Sequence, residues 1–388
     1  MELPLNEILH NMTFKQFLSL AFIVLGSFTF QSCETESKKT GNAQFVNPFI
    51  GTGGHGHTFP GATRPFGMVQ LSPDTRLEGW DGCSGYHNTD SIVYGFSHTH
   101  LSGTGVSDYC DILLKPCVGD VQWNNGYKSS PDSGYASYFS KQSEVAEAGF
   151  YSMELDEGIT VELTTTERVG FHRYTFENSK NAHVILDLEH RDKLLEYSFE
   201  PLEESSVRGM RLSKSWSEDQ AVFFYMEFSK PIKSIEQQIP ASFDPETDSI
   251  LNSKLQVLKF DLQDGEELLV KVGISSVDLD GAKKNLEAEI SDWDFDRVKS
   301  ESTEAWNKEL AKIDVDGAED DKIIFYSALY HTMVVPNLFS DVDAVTEKHF
   351  LEILFRRIPK LVNYQKEKIN TPFSVCGTRI EQHIRFTP

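Results

Sequence analysis

The chain has 388 residues, 39% hydrophobic and 24% charged, enough apolar material for one large domain or two ordinary ones. Its formal net charge of −23 sets up a field that repels phosphate backbones and anionic lipid surfaces. That balance argues against nucleic acid as a partner and leaves neutral polymers such as glycans open.

The N-terminus reads as an export signal. In MTFKQFLSLAFIVLGSFTFQSC, residues 12–33, Lys15 precedes an apolar run from Phe17 to Phe30 that is too short and wrongly flanked for a membrane span. The run ends at Ser32-Cys33 and gives way to polar ETESKKTGNAQ. This order resembles a bacterial lipoprotein signal, with Met12 as the true start, Cys33 as the acylated residue and Phe30 where Leu is usual. A lipid anchor in the cell envelope, at the periplasm or outer surface, is the expected consequence. An ordinary secretory signal with an incidental Cys33 is the other reading. Residues 34–43 then form a flexible tether. Five cysteines without a Cys-x-x-Cys make no disulfide framework, although a Cys110–Cys117 bridge stays open.

From Phe45 to about Ser276 the dominant period is two. Tyr151, Met153 and Leu155 alternate with polar residues, as do Ile159, Val161 and Leu163. Further runs are His183–Leu188, Ala221–Phe228, Gln256–Leu262 and Leu268–Ile274, separated by Gly, Asn, Asp and Pro. Short strands without helical periods between them predict a mainly β fold, an antiparallel β-sandwich over residues 44–280. The period changes near Gly281. Leu286, Ile290 and Trp293 follow helical spacing, as do Trp306, Leu310 and Ile313, so residues 281–317 read as a helical linker. Asp314 to Gly317 breaks it, and a second helix is predicted from about Glu319 to Val335, stopped by Pro336. Residues 318–343 would begin a helical domain.

The densest chemistry lies between Val46 and Asp120. Gly is heavily used from Gly51 to Gly67, which marks tight loops of the kind that place side chains around a site. His55 and His57 stand two apart, as do His98 and His100. His-x-His can offer two imidazoles to one metal, but spacing fixes no third ligand. We therefore read these histidines as bonding loop backbone or lining a polar cleft, and expect no metal ligands among them. Trp80 and Tyr86, with Asp81, His87 and Arg64 nearby, suit a sugar site. An aromatic plane packs on a pyranose face while charged groups and imidazoles read its hydroxyls. Both aromatics also suit a core position in a Gly-rich corner.

The blocks NPFIGTGGHGHTFPGA, PFGMVQLSPDT, GWDGCSGYH and YGFSHTHLSGTG resemble the opening of glycoside hydrolase family 92, bacterial exo-acting α-mannosidases. The likeness runs from about Val46 to Asp343. It implies an N-terminal β-sandwich, a helical linker and a C-terminal (α/α)6 barrel. It also implies calcium-dependent, inverting hydrolysis of α-mannosides, most often α-1,2 links, in mannose-containing glycans. On that basis the block Trp80, Asp81, Gly82, Cys83, Gly85, Tyr86 and His87 is carried into the substrate site, with His55, His57, His98, His100 and Arg64 beside it. The catalytic acid and base and the calcium ligands of this family belong to the barrel, so no catalytic residue and no metal ligand is assigned within this chain. Two other functions fit the residues: a surface glycan-binding lipoprotein without catalysis, and a hydrolase using a His-held metal.

After Asp343 the resemblance breaks. The family continues with a Gly-Arg-Tyr run and a block like TVFSLWDTYRATHPL, whereas residues 344–388 are basic and end in TPFSVCGTRIEQHIRFTP. Back-translated with codons chosen towards the family block and shifted by one base, that ending reads TVFSLWDTYRATHPLYT. We read the tail as out of frame from about Asp343, so that the chain lacks its reacting acids and leaves exposed a broad apolar face, including Trp306 and the helix Ile323–Tyr330. Resequencing the gene around Asp343 tests this, and an unbroken frame through Pro388 contradicts it.

Overall fold

Alternation in the sequence becomes two antiparallel sheets. A computed structural model describes residues 41–127, 130–238 and 254–343. These fall in the second of the two units into which the chain divides, Gly41–Pro388, while the export signal and Cys33 lie outside the described residues. One sheet orders seven strands as Ala62–Thr63, Gln70–Asp74, Gly95–Ser97, Leu113–Cys117, His183–Asp187, Leu255–Lys259 and Ser234–Gln237. The other orders eight, Lys193–Pro201, Ser206–Lys214, Gln220–Phe228, Glu266–Ser275, Val169–Phe176, Ile159–Thr165, Phe150–Leu155 and Val145–Glu147. A two-stranded ribbon pairs Ile92–Val93 with Ser137–Tyr138.

One core holds the sheets together. Leu71, Phe96, Leu114, Val184, Leu186 and Leu258 from the first sheet meet Val161, Leu163, Tyr174, Phe224, Leu268 and Val270 from the second, all of them buried. Each such side chain contributes about 1.5–3 kcal/mol. The strand His183–Asp187 is buried along its length and carries three consecutive apolar residues, Val184 to Leu186, because both its faces are covered. Val184 and Leu186 face the core, and Ile185 packs outward with Leu113, Tyr135 and Val257.

Three helices follow. Helix α1, Leu279–Glu289, starts where Asp278 accepts from the Gly281 N–H at 2.7 Å, and buries Gly281, Ala282, Asn285 and Leu286. It lies against Glu266–Ser275, where a Cβ on Gly273 would strike the Ala282 carbonyl and Leu286. Helix α2, Phe295–Leu310, is capped by Asp294, which accepts from Arg297 N–H at 2.9 Å, and buries the stripe Phe295, Val298, Ser302, Trp306 and Leu310. Helix α3, Glu319–His331, buries Tyr326, Ser327 and Tyr330.

Four expectations are corrected. The predicted apolar face is mostly covered: Trp306 is fully buried, donates its indole N–H to the Thr63 carbonyl at 2.6 Å and packs tilted against the Tyr330 ring at 4.3 Å, while Ile324 stays exposed. The tether does not reach residue 43. Asn42–Phe45 forms a short 3-10 turn against α2, with Ala43 buried and its N–H donated to Asn307 Oδ1 at 2.9 Å. The second predicted helix ends at His331, several residues before Pro336, whose ring disfavours helical backbone in the residue ahead of it. Trp293 and Ile313 sit just outside their helices rather than on the buried stripes. Cys83, Cys110 and Cys117 are free thiols, so Cys110 and Cys117 are not bridged.

Candidate functional site

Two loops build the site, and glycine shapes both. In the first, Gly51 takes φ 91°, and the Thr58 N–H returns to the Gly51 carbonyl at 3.3 Å. A Cβ on Gly56 would fall on that same carbonyl, so the loop closes only around glycine and holds His55 and His57 on either side. In the second, Gly79 at φ 89° admits a single 3-10 turn, Trp80–Gly82. Its end is tied by the Cys83 N–H and the Cys83 thiol, both donated to the Trp80 carbonyl.

The loops meet at Asp81. His55 Nδ1 lies 2.6 Å from Asp81 Oδ1, and His57 Nε2 lies 3.6 Å from the same oxygen. The bond from His55 holds the Asp81 carboxyl below its usual range. Trp80 packs on both imidazoles, 4.9 Å from the His55 ring and 4.3 Å edge-on to the His57 ring. Its side chain is nonetheless open, with Trp80 55% exposed, whereas His57 is buried. An exposed indole face flanked by a carboxylate and two imidazoles can stack on an apolar sugar face and bond its hydroxyls.

The other residues predicted for the site are not all gathered here. His87 stands beneath the first loop, its Nε2 3.2 Å from the Gly54 carbonyl and its Nδ1 2.8 Å from Thr89 Oγ1. Gly82 and Cys83 belong to the Trp80 turn, but both are buried. Gly85 is also buried, and a Cβ there would strike Asp74 and Cys110. Tyr86 takes the core position. Its hydroxyl donates to Glu144 Oε1 at 2.8 Å and accepts from Lys141 Nζ at 2.8 Å, and burial followed by the Glu144 charge pushes its pKa far up. Arg64 pairs with Glu167 at 3.2 Å and with Glu301 at 3.7 Å.

His98 and His100 are taken into the sandwich. His98 Nδ1 bonds the Ile112 carbonyl at 2.6 Å and its Nε2 faces His172 Nε2 at 3.0 Å. His100 Nδ1 bonds the Gln70 carbonyl at 2.7 Å, and its Nε2 meets Asp74 Oδ1 at 3.1 Å. Sequence reasoning missed the rest of that buried network. His190 Nε2 stands 3.2 Å from Asp74 Oδ2, Arg191 donates to Cys110 Sγ at 2.6 Å, and Arg211 pairs with Asp111. Burial raises the Asp74 carboxyl, but the two imidazoles more than offset this and hold it well below the ordinary range. Nothing in the spacing of His190 or Arg191 marks them, because a fold-distant partner gives each its role.

Calcium is the ion that the family resemblance implies. Among the described residues, donor atoms converge at His55, His57 and Asp81, and at Asp74, His100 and Cys110. Each set mixes imidazole or thiol with one carboxylate, whereas calcium takes about six to eight oxygens. Neither set fits calcium.

Residues 45–275 match the glycosyl hydrolase family 92 N-terminal domain, more than half of the chain. The chain belongs to glycosyl hydrolase family 92. Residues 281–370 match the catalytic domain of that family, a match that runs past Asp343 into residues outside those described. A family 92 α-mannosidase from Bacteroides thetaiotaomicron is 34% identical with a TM-score of 0.73, over 78% of this chain and 42% of that one. The same mannosidase is also solved in complex with mannoimidazole. A family 92 inverting mannosidase of that bacterium is 27% identical with a TM-score of 0.66, over 79% of this chain and 41% of its own. An uncharacterized secreted glycosidase of Arthroderma benhamiae is 27% identical over 321 residues, 76% of this chain and 41% of its own length. This family 92 chain thus spans about two fifths of these relatives, 41% and 42% of their lengths.

Proposed function

We propose that this chain serves an exo-acting α-mannosidase, with α-1,2-linked mannose glycans as substrate, by forming one wall of its mannose pocket. The observation that carries this reading is Trp80, an exposed indole held between two loops and flanked by Asp81, His55 and His57. A sugar laid on that indole places its hydroxyls within reach of a carboxylate and two imidazoles. A site that reads hydroxyls rejects analogues lacking them. Membership of the family and likeness to mannosidases, one of them solved with mannoimidazole, support the substrate class.

In this proposal inversion of the anomeric centre requires an acid and a base about 6.5–9.5 Å apart. The family resemblance gives those carboxylates, and the oxygens that hold calcium, to the barrel of the catalytic domain, which this chain matches over residues 281–370 alone, and no catalytic residue is assigned within residues 1–388. The described region alone therefore binds weakly and does not hydrolyse. Export and acylation at Cys33 would place it on a lipid anchor in the cell envelope.

Calorimetry with α-1,2-mannobiose, run beside a mannose-release assay in calcium-containing buffer, tests the reading. We expect binding weaker than millimolar, lost in Trp80→Ala, and no release above background. Mannose release at an enzyme-like rate would overturn the placement of the acids. Tight binding without release points instead to a glycan-binding lipoprotein, and zinc-dependent hydrolysis to a His-based metal hydrolase.

A further inference from the structure

His55 and His57 were two imidazoles in search of a third donor, and the fold supplies it. Asp81 comes from the other loop, and its Oδ1 faces His55 Nδ1 at 2.6 Å and His57 Nε2 at 3.6 Å. The three donor atoms lie within 4.8 Å of one another. Zinc bound to nitrogen or oxygen at about 2.0–2.2 Å in tetrahedral geometry spaces its donors about 3.4 Å apart. Small movements of the exposed His55 side chain suffice to reach that spacing.

A second observation is independent of this spacing. The His57 side chain is only 4% exposed, yet its Nε2 has no hydrogen-bond partner, and it is aimed at Asp81. Buried ring nitrogens rarely stay without a partner. Among the described residues, one ring nitrogen each of His98, His100 and His87 reaches a carbonyl or a hydroxyl, whereas His190 and His331, like His57, keep ring nitrogens without a hydrogen-bond partner; of these three histidines His57 alone belongs to a convergent donor set. The other convergent set, Asp74, His100 and Cys110, is closed to a cation because the Arg191 guanidinium already donates to the Cys110 sulfur.

We propose that His55, His57 and Asp81 form a binding site for a zinc-class divalent cation, with a fourth position open to solvent beside Trp80. Two imidazoles and one carboxylate are the donor chemistry of zinc rather than of calcium or magnesium. The site uses the same wall as the sugar, but cation binding does not depend on the sugar reading, and its test contains no glycan.

The full chain, stripped with chelator, is titrated with zinc by calorimetry and with cobalt(II) by absorption and Trp fluorescence. One saturable site is expected, with tetrahedral cobalt bands and quenching that Trp80→Phe reduces. His57→Gln and Asp81→Asn are each expected to weaken zinc by about tenfold or more, the size that loss of even a supporting partner has at metal sites. His55 is exposed, so His55→Gln probes the site without disturbing the buried loop, and the same weakening is expected there. Absence of saturable zinc binding, or unchanged affinity in folded His55→Gln and Asp81→Asn, overturns the proposal.

Discussion

Trp80 and Tyr86 stand in one glycine-rich block and meet opposite fates. Trp80 is held outward by a turn that Gly79 opens, while Tyr86 is pinned inward by Glu144 and Lys141. The histidines divide in the same way. His55 and His57 face Asp81, and His98 is sealed against His172 in the sandwich. Burial pushes the His98 imidazole down to about 4, and burial together with His98 pushes His172 well below its usual value. These rings stay neutral when folded and take a proton when unfolded. Stability is therefore full above about pH 6.5 and falls as the pH drops towards 4, by on the order of 3 kcal/mol for His98 alone. Asp192 acts in the opposite sense: burial, with the Asp108 charge adding to it, raises its carboxyl to about 7 despite Arg191, so its cost eases as pH falls. Burial also lowers His183 and His331 and raises Asp108 and Asp341, so among the described residues four imidazoles stand against three carboxyls, and the deeply buried pair His98 and His172 sets the sign, a net loss on acidification. Urea unfolding across pH 7 to 4 should show it, and a midpoint that rises on acidification would contradict it.

At the scale of elements, α2 is the joint between the β-sandwich and α3. Its stripe ends in Trp306 and Leu310, and Trp306 ties the helix to the first sheet through the Thr63 carbonyl and to α3 through Tyr330. Trp306→Ala removes a fully buried ring and leaves that carbonyl without its donor, so we expect a loss of about 3–5 kcal/mol. Thermal or urea unfolding of the full chain checks it, and a loss below about 1 kcal/mol would contradict the packing described. This joint also shows what the sequence carries. Period-two runs located six of the strands, Phe150–Leu155 and Glu266–Ser275 among them, and the spacing of Trp306 and Leu310 marked the end of α2, because periodicity follows from one-sided burial. Trp306 reads as exposed from the sequence because its cover is expected from the barrel beyond the break; the fold instead covers it with Thr63 and Tyr330, distant in the chain. The site divides likewise: the glycine loops and Trp80 are legible locally, whereas the meeting of His55, His57 and Asp81, and the inward turn of Tyr86, are set by tertiary contacts.

The molecule as a whole carries a formal net charge of −23, with the proposed glycan wall on loops of the β-sandwich. Among the described residues the apolar groups left open include Ile50, Phe66, Ile324 and Phe339, while Trp306, Tyr326 and Tyr330 of the expected apolar face are buried. The proposed lipid attachment is also tested on the whole chain. Expressed with its leader in a bacterial host, it should take up labelled palmitate and lose the label in Cys33→Ala. Equal labelling of the variant would contradict acylation at Cys33.

The central claim is that Trp80 is the face on which mannose lies, and the indole N–H resonance of Trp80 in the full chain, assigned with Trp80→Phe, reports on it directly. Added methyl α-mannoside should shift that resonance progressively and saturably, with a dissociation constant above millimolar, while methyl α-glucoside shifts it less. A Trp80 signal that stays still while another tryptophan moves, or that responds equally to both sugars, would contradict the account.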